Sequence, residues 1–244
     1  MSALRPPGLG PLIGHTTHDS CRLWIQAPQP DGGPGGAGAD RRTVGVIGLL
    51  TANGTAVEKA YYFRLQREFD RTGTFVLGKD VALGRHATDG VPAKQQDKPV
   101  KLKPDTAYTV RMATLSIDDP MPDAETLDDR ELALRLPPIE NIAPMLLDLP
   151  PELCELTVRT FPDGAQSAAQ LAFLLGSCRY PGLLWKVKEA DRIFEPMQKQ
   201  LAEAARFTLM VGDQIYADTL NRFVPFGRAD TYEEFQERYQ TAFS

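Results

Sequence analysis

The chain has 244 residues, 42% hydrophobic and 24% charged, with 27 Lys and Arg against 32 Asp and Glu for a formal net charge of -5. At roughly 100 to 200 residues per domain this is ordinary composition for one or two globular domains, and it excludes a disordered chain, collagen and a disulfide scaffold. No apolar run approaches the ~20 residues of a membrane span, and the acidic balance supplies no basic field for a phosphate backbone, so neither membrane nor nucleic acid is an expected partner.

Cys21, Cys154 and Cys178 are odd in number without Cys-x-x-Cys spacing, and Met1 to Leu12 carries no apolar signal core, so reduced thiols in a cytoplasm are expected. Arg41-Arg42 ahead of Thr43-Val44-Gly45-Val46-Ile47-Gly48-Leu49-Leu50 resembles a twin-arginine export signal. Strand-like sequence precedes it, however, and the same run reads as a buried strand.

From Cys21 the pattern has period two: Cys21, Leu23, Ile25 and Ala27 share one face, Arg22, Trp24 and Gln26 the other, which predicts a half-buried strand. Tyr61-Phe63-Leu65, Tyr108-Val110-Met112 and Leu132-Leu134-Leu136 repeat the alternation between loops rich in Gly, Pro and Asp. Short strands without a long helical pattern predict an antiparallel sandwich over residues 1–136. Leu102-Lys103-Pro104-Asp105-Thr106-Ala107-Tyr108 resembles a fibronectin type III motif in which a tyrosine hydroxyl ties down a sheet corner, giving Tyr108 a structural role.

Gly32-Gly33-Pro34-Gly35-Gly36-Ala37-Gly38 lacks the Lys-Ser/Thr of a phosphate loop and is read as a hairpin tip. Asp118-Asp119, Asp123, Glu125 and Asp128-Asp129 do not have EF-hand spacing and are read as a solvated loop. Pro137-Pro138, Pro144 and Pro150-Pro151 predict a connector over 137–168.

From residue 169 the grammar is α/β. Leu171-Ala172-Phe173-Leu174-Leu175 and Phe207-Thr208-Leu209-Met210-Val211 are continuous apolar runs, as for parallel strands buried on both faces. Between them Ile193, Phe194, Met197, Leu201 and Ala205 follow a helical repeat, with Pro196 at a bend or near a helix start. Strand, helix, strand implies a right-handed parallel crossover. Thr231-Tyr232-Glu233-Glu234 is a capping box ahead of Phe235 and Tyr239, predicting a terminal amphipathic helix.

Working groups in open parallel sheets gather beyond the carboxyl ends of the strands. The first run ends in Gly176-Ser177-Cys178-Arg179-Tyr180 and the second in Gly212-Asp213-Gln214-Ile215-Tyr216-Ala217-Asp218. On neighbouring strands ~4.8 Å apart, Cys178 and Asp213 would share one cation, with Tyr216 swinging back toward it. Arg179 would lower the thiol pKa and grip a phosphate oxygen in a two-pronged hydrogen bond. Plainer readings stay open: Cys178 as a small buried hydrophobe, Asp213 as a turn former or N-cap, Tyr216 as packing. A cysteine nucleophile needs a histidine, and only His15, His18 and His86 exist.

The two strand-end motifs together resemble the alkaline phosphatase D (PhoD-like) metallophosphoesterases. Gly10-Pro11-Leu12-Ile13-Gly14-His15-Thr16-Thr17 with Arg22-Leu23-Trp24 is similar to the opening of that family's N-terminal domain. The resemblance implies a fibronectin III-like β-sandwich followed by an α/β metallophosphatase domain that is incomplete within this sequence. It also implies hydrolysis of phosphate monoesters and diesters at a ferric iron and calcium pair, a phosphate ester substrate, Cys178 and Tyr216 as iron ligands, and Asp213 as the bridge. Complete members add an asparagine, an aspartate and a histidine that 169–244 does not contain in matching blocks. A fragment or truncated form, inactive by itself, is therefore expected, or a chain completed by another polypeptide. The reading from a different class is a noncatalytic β-sandwich binding module with a docked C-terminal segment.

Overall fold

The structure, a computed structural model, describes residues 3–28, 42–81, 83, 98–117, 124–164, 172–179, 190–201, 205–217 and 229–243. It divides into two units, Met1–Ser167 and Ala168–Ser244. The Gly32–Gly38 stretch, Arg41, His86, Asp118, Asp119, Asp123, Leu171, Tyr180 and Asp218 lie outside the described residues.

The first unit holds β1 (Ala3–Arg5), β2 (Leu9–Thr16), β3 (Cys21–Gln26), β4 (Thr43–Leu50), β5 (Val57–Phe63), β6 (Thr72–Leu77), β7 (Ala107–Ser116) and β8 (Glu155–Arg159). A three-stranded sheet runs β2-β3-β6, and a five-stranded sheet runs β1-β7-β4-β5 with β8 also on β7. All of these pairings are antiparallel. The alternation read in β3 is realised, with Cys21, Leu23 and Ile25 fully buried and Arg22 exposed. Their core face, with Phe75 and Leu77 of β6, meets Ile47, Phe63, Val110 and Met112 of the larger sheet. Antiparallel sheets packed over a shared apolar layer are thus what the first unit is made of.

The run Val44–Leu50 is β4, and all seven of those residues are buried. Its continuous apolar character follows from having two covered faces. On the side away from the sheet-to-sheet layer, Val44, Val46, Ala113 and Leu115 lie under Leu132, Leu136, Ile142 and Leu146. Gly45 is required by crowding: a Cβ there would come within 2.3 Å of the Phe63 ring.

Leu132-Leu134-Leu136, read from sequence as a strand, belongs instead to a helix and its end, α1 (Asp129–Arg135) with Leu136 as C-cap. Asp128 accepts a hydrogen bond from the Glu131 N–H at 2.8 Å, and the Glu131 carboxylate accepts one from the Asp128 N–H at 3.4 Å. This reciprocal cap fixes the helix start. Leu132 is buried while Leu134 is 81% exposed, which no strand face would allow. The acidic residues Asp128 and Asp129 are therefore a helix start rather than a solvated loop, and Asp129 pairs with Arg64.

The stretch expected as a connector carries regular structure. Residues 137–168 carry α2 (Ile139–Ile142), a 3-10 turn (Pro144–Asp148), α3 (Pro151–Cys154) and β8, which is hydrogen-bonded to β7. Pro144 and Pro151 open short helices, where a missing N–H is harmless. Arg111 of β7 anchors this layer, donating to the Glu155 carboxylate at 2.8 Å and to the Leu146 and Leu147 carbonyls at 2.9 and 3.0 Å. Tyr108 has the structural role expected of it: its hydroxyl accepts the Lys103 N–H at 2.7 Å.

The second unit holds β9 (Leu174–Gly176), a 3-10 turn (Ala190–Ile193), α4 (Phe194–Leu201), β10 (Thr208–Met210) and α5 (Tyr232–Phe243). β9 and β10 are parallel, Thr208 opposite Leu174 and Met210 opposite Gly176, so the strand, helix, strand order holds. Pro196 sits in the first turn of α4. Burial on both faces does not hold: Leu175 is 66% and Val211 58% exposed. The capping box of α5 is present, the Glu234 carboxylate accepting from the Thr231 N–H at 3.2 Å while the Glu234 N–H donates to Thr231 Oγ1 at 3.3 Å. No helix among the described residues is long and apolar enough to cross a membrane.

Candidate metal centre

The parallel pair positions the candidate site by extending past its own strands. The Val211 N–H donates to the Gly176 carbonyl at 2.8 Å, the Cys178 N–H to Gly212 at 3.2 Å, and the Arg179 N–H to Asp213 at 2.9 Å. Both loops are thus zipped together where the apolar runs end. Within them the backbone turns sharply: φ is 60° at Cys178, 124° at Gly212 and 51° at Asp213. Gly212 has open space around a would-be Cβ, so its glycine answers to backbone conformation, not crowding. Cys178 and Asp213 adopt left-handed conformations despite their side chains, a strain of the kind that gathers at working sites.

The result is convergence. The Cys178 thiol donates to Asp213 Oδ2 at 3.0 Å, and Ser177 Oγ lies 3.0 Å from the same sulfur. Cys178 is exposed, which removes the reading of it as a buried hydrophobe. Tyr216 completes the group. Its hydrogen bond with Cys178, with desolvation and the nearby charges of Cys178 and Asp213, pushes the phenol up to about 12. A proton is therefore held there unless a cation replaces it.

Arg179 is engaged by a carboxylate of its own chain. The two-pronged hydrogen bond foreseen for a phosphate oxygen is made to Asp191, from Nε and Nη2 at 2.8 Å each. Its guanidinium also lies 5.9 Å from the centre of the Phe194 ring. Sequence reasoning missed Asp191 and Phe194, since nothing in their spacing marks them as partners of Arg179.

A sulfur, a carboxylate and a phenol at one mouth form a donor set that fits a single cation tolerant of soft and anionic ligands. The six to eight oxygens a calcium ion takes are not gathered there among the described residues, which contain no cluster of three or more His, Cys, Asp and Glu.

Neither a family sequence model nor a curated protein sequence matches the chain. Among solved structures, one described as "Structure of PhoD" aligns with 98% of this chain at a TM-score of 0.57 and 15% identity. The fold resembles part of that of PhoD. This chain spans 35% of the PhoD chain's length, and the likeness to PhoD is one of architecture.

Proposed function

We propose that this chain belongs to a metal-dependent phosphoric ester hydrolase of the PhoD-like kind. Its first unit would be the fibronectin III-like sandwich, and its second the opening of the metallophosphatase α/β domain. The observation that carries this reading is the 3.0 Å contact between the Cys178 thiol and Asp213 Oδ2, with Tyr216 hydrogen-bonded at the same point. Cys178 and Tyr216 would hold a ferric ion and Asp213 would lie between it and a second ion, calcium, whose remaining ligands come from outside the described residues. Such a pair supplies Lewis acidity toward a phosphoryl oxygen.

The chain's own residues do the positioning. The ladder from Val211 to Arg179 fixes the spacing of the two loops, and the left-handed turns at Cys178 and Asp213 aim their side chains at one point. Tyr216 and Cys178 each give up a proton when they take a cation. Arg179 braces the loop through Asp191, and the substrate would be a phosphate ester. Since the chain spans 35% of PhoD, a completing polypeptide segment is part of this proposal.

The test is cation binding by the purified chain. Cobalt(II) should bind with a sulfur-to-metal charge-transfer absorption that Cys178→Ala and Asp213→Ala abolish. The 244-residue chain by itself should not hydrolyse a chromogenic phosphodiester, whereas a chain carrying the remaining PhoD-like portion should. Absence of any cobalt-dependent absorption in the folded wild-type chain would overturn the reading.

A further inference from the structure

We propose that Asp191 is a positioning residue whose carboxylate grips the Arg179 guanidinium and thereby holds the turn that aims the Cys178 thiol at Asp213. Cys178 sits in a left-handed backbone conformation, φ 60°, that side chains disfavour, so something outside the residue must hold it there. The next residue does so from two directions. The main-chain N–H of Arg179 donates to the Asp213 carbonyl at 2.9 Å, tying the turn to the opposite loop. Its side chain reaches the other way, Nε and Nη2 each 2.8 Å from a separate oxygen of Asp191.

This pair differs in kind from a solvated surface ion pair, which contributes little. It is bidentate, its side chains are 15% and 27% exposed, and the guanidinium rests over the Phe194 ring. A planar fork held at two points and stacked on a ring has one orientation, which a lysine or a single hydrogen bond would not impose. Asp191 lies in the 3-10 turn that runs directly into α4. Through it, the loop after β9 is braced against the start of that helix. Partners that orient a ligand in this way govern how well a metal is held, so in its metal-binding consequence this proposal rests on the function proposed above.

The experiment has a metal-free arm and a metal arm, both on the full chain. In the first, iodoacetamide alkylation of Cys178 is followed by peptide mass spectrometry, with buried Cys21 and Cys154 as slow internal references. Asp191→Ala should speed alkylation of Cys178 several-fold. Asp191→Glu should return it toward the wild-type rate, and Asp191→Ala combined with Arg179→Ala should be no faster than either alone, as for two residues acting as one unit. In the second arm, Asp191→Ala should weaken cobalt(II) binding about 10- to 100-fold. If Asp191→Ala does not fold, Asp191→Asn takes its place, with Asp191→Glu still the rescue variant. Unchanged alkylation in folded Asp191→Ala or Asp191→Asn overturns the positioning role whether or not cobalt binds. Faster alkylation in a protein that binds no cobalt upholds it and overturns the metal reading instead.

Discussion

The Cys178 sulfur lies 3.0 Å from Asp213 Oδ2 although 35 positions separate them in sequence. Only a parallel pairing of the two short strands brings them together, and both residues sit in left-handed turns as they meet. If that meeting point is a cation site, Cys178→Ser should retain weak cobalt binding through oxygen while losing the charge-transfer absorption. Tyr216→Phe should lower affinity and leave the absorption in place. Titration followed by absorbance and by a competing chelator separates the two, and equal spectra for wild type and Cys178→Ser would remove sulfur from the donor set.

Leu132 and Leu134 distinguish a helix from a strand by stability alone. Leu132→Ala in the wholly buried position should cost about 2 to 5 kcal/mol, whereas Leu134→Ala on the exposed face should change stability by less than about 0.5 kcal/mol. Removing the cap with Asp128→Ala should cost about 1 kcal/mol. Urea unfolding of the three variants measures all of these. Comparable losses at Leu132 and Leu134 would contradict the helix.

Tyr108→Phe removes one hydroxyl and leaves the ring. The Lys103 N–H loses its 2.7 Å acceptor, and a loss of about 0.5 to 1.5 kcal/mol is expected. The exchange rate of the Lys103 amide proton should rise in the same variant. An unchanged rate would show that the tie is not made in solution.

Alkaline pH should unfold the first unit. Burial pushes the Cys21 and Cys154 thiols and the Tyr61 and Tyr62 phenols above their ordinary values. Each is an acid with its folded pKa raised, so its stability contribution is complete below the unfolded pKa and is lost as pH climbs toward the folded one. Stability should hold to about pH 8 and then fall as the ordinary thiol and phenol values are passed, each group adding a slope of about 1.4 kcal/mol per pH unit. Unfolding midpoints from pH 7 to 11 check this, and Tyr62→Phe should give a shallower decline. A Tyr62→Phe profile parallel to wild type would exclude that phenol as a contributor.

What was legible in the sequence was whatever a local rule governs. Alternation around Leu23, the Tyr108 tie and the Thr231–Glu234 cap each depend on residues within a few positions of one another, and each is present. Leucines at 132, 134 and 136 misled because residues four apart share a helical face as well as a strand face. Asp128 and Glu131, three apart, held the signal that decides between them. The proline-rich stretch misled because proline interrupts a helix yet begins one comfortably, as at Pro144 and Pro151. Cys178 and Asp213 were legible as a pair because both follow apolar strands. Asp191 was not, since the 12-residue separation from Arg179 follows no periodicity that a pattern could expose.

β4 also sets how the first unit comes apart. One strand forms the common wall of two apolar compartments, with Val46 facing one and Ile47 the other. Opening either compartment strips this strand of half its shelter, so the helical layer and the smaller sheet have no independent route to release. Melting should be all-or-none, and the slowest amide protons of the unit should belong to β4 and its neighbour β7.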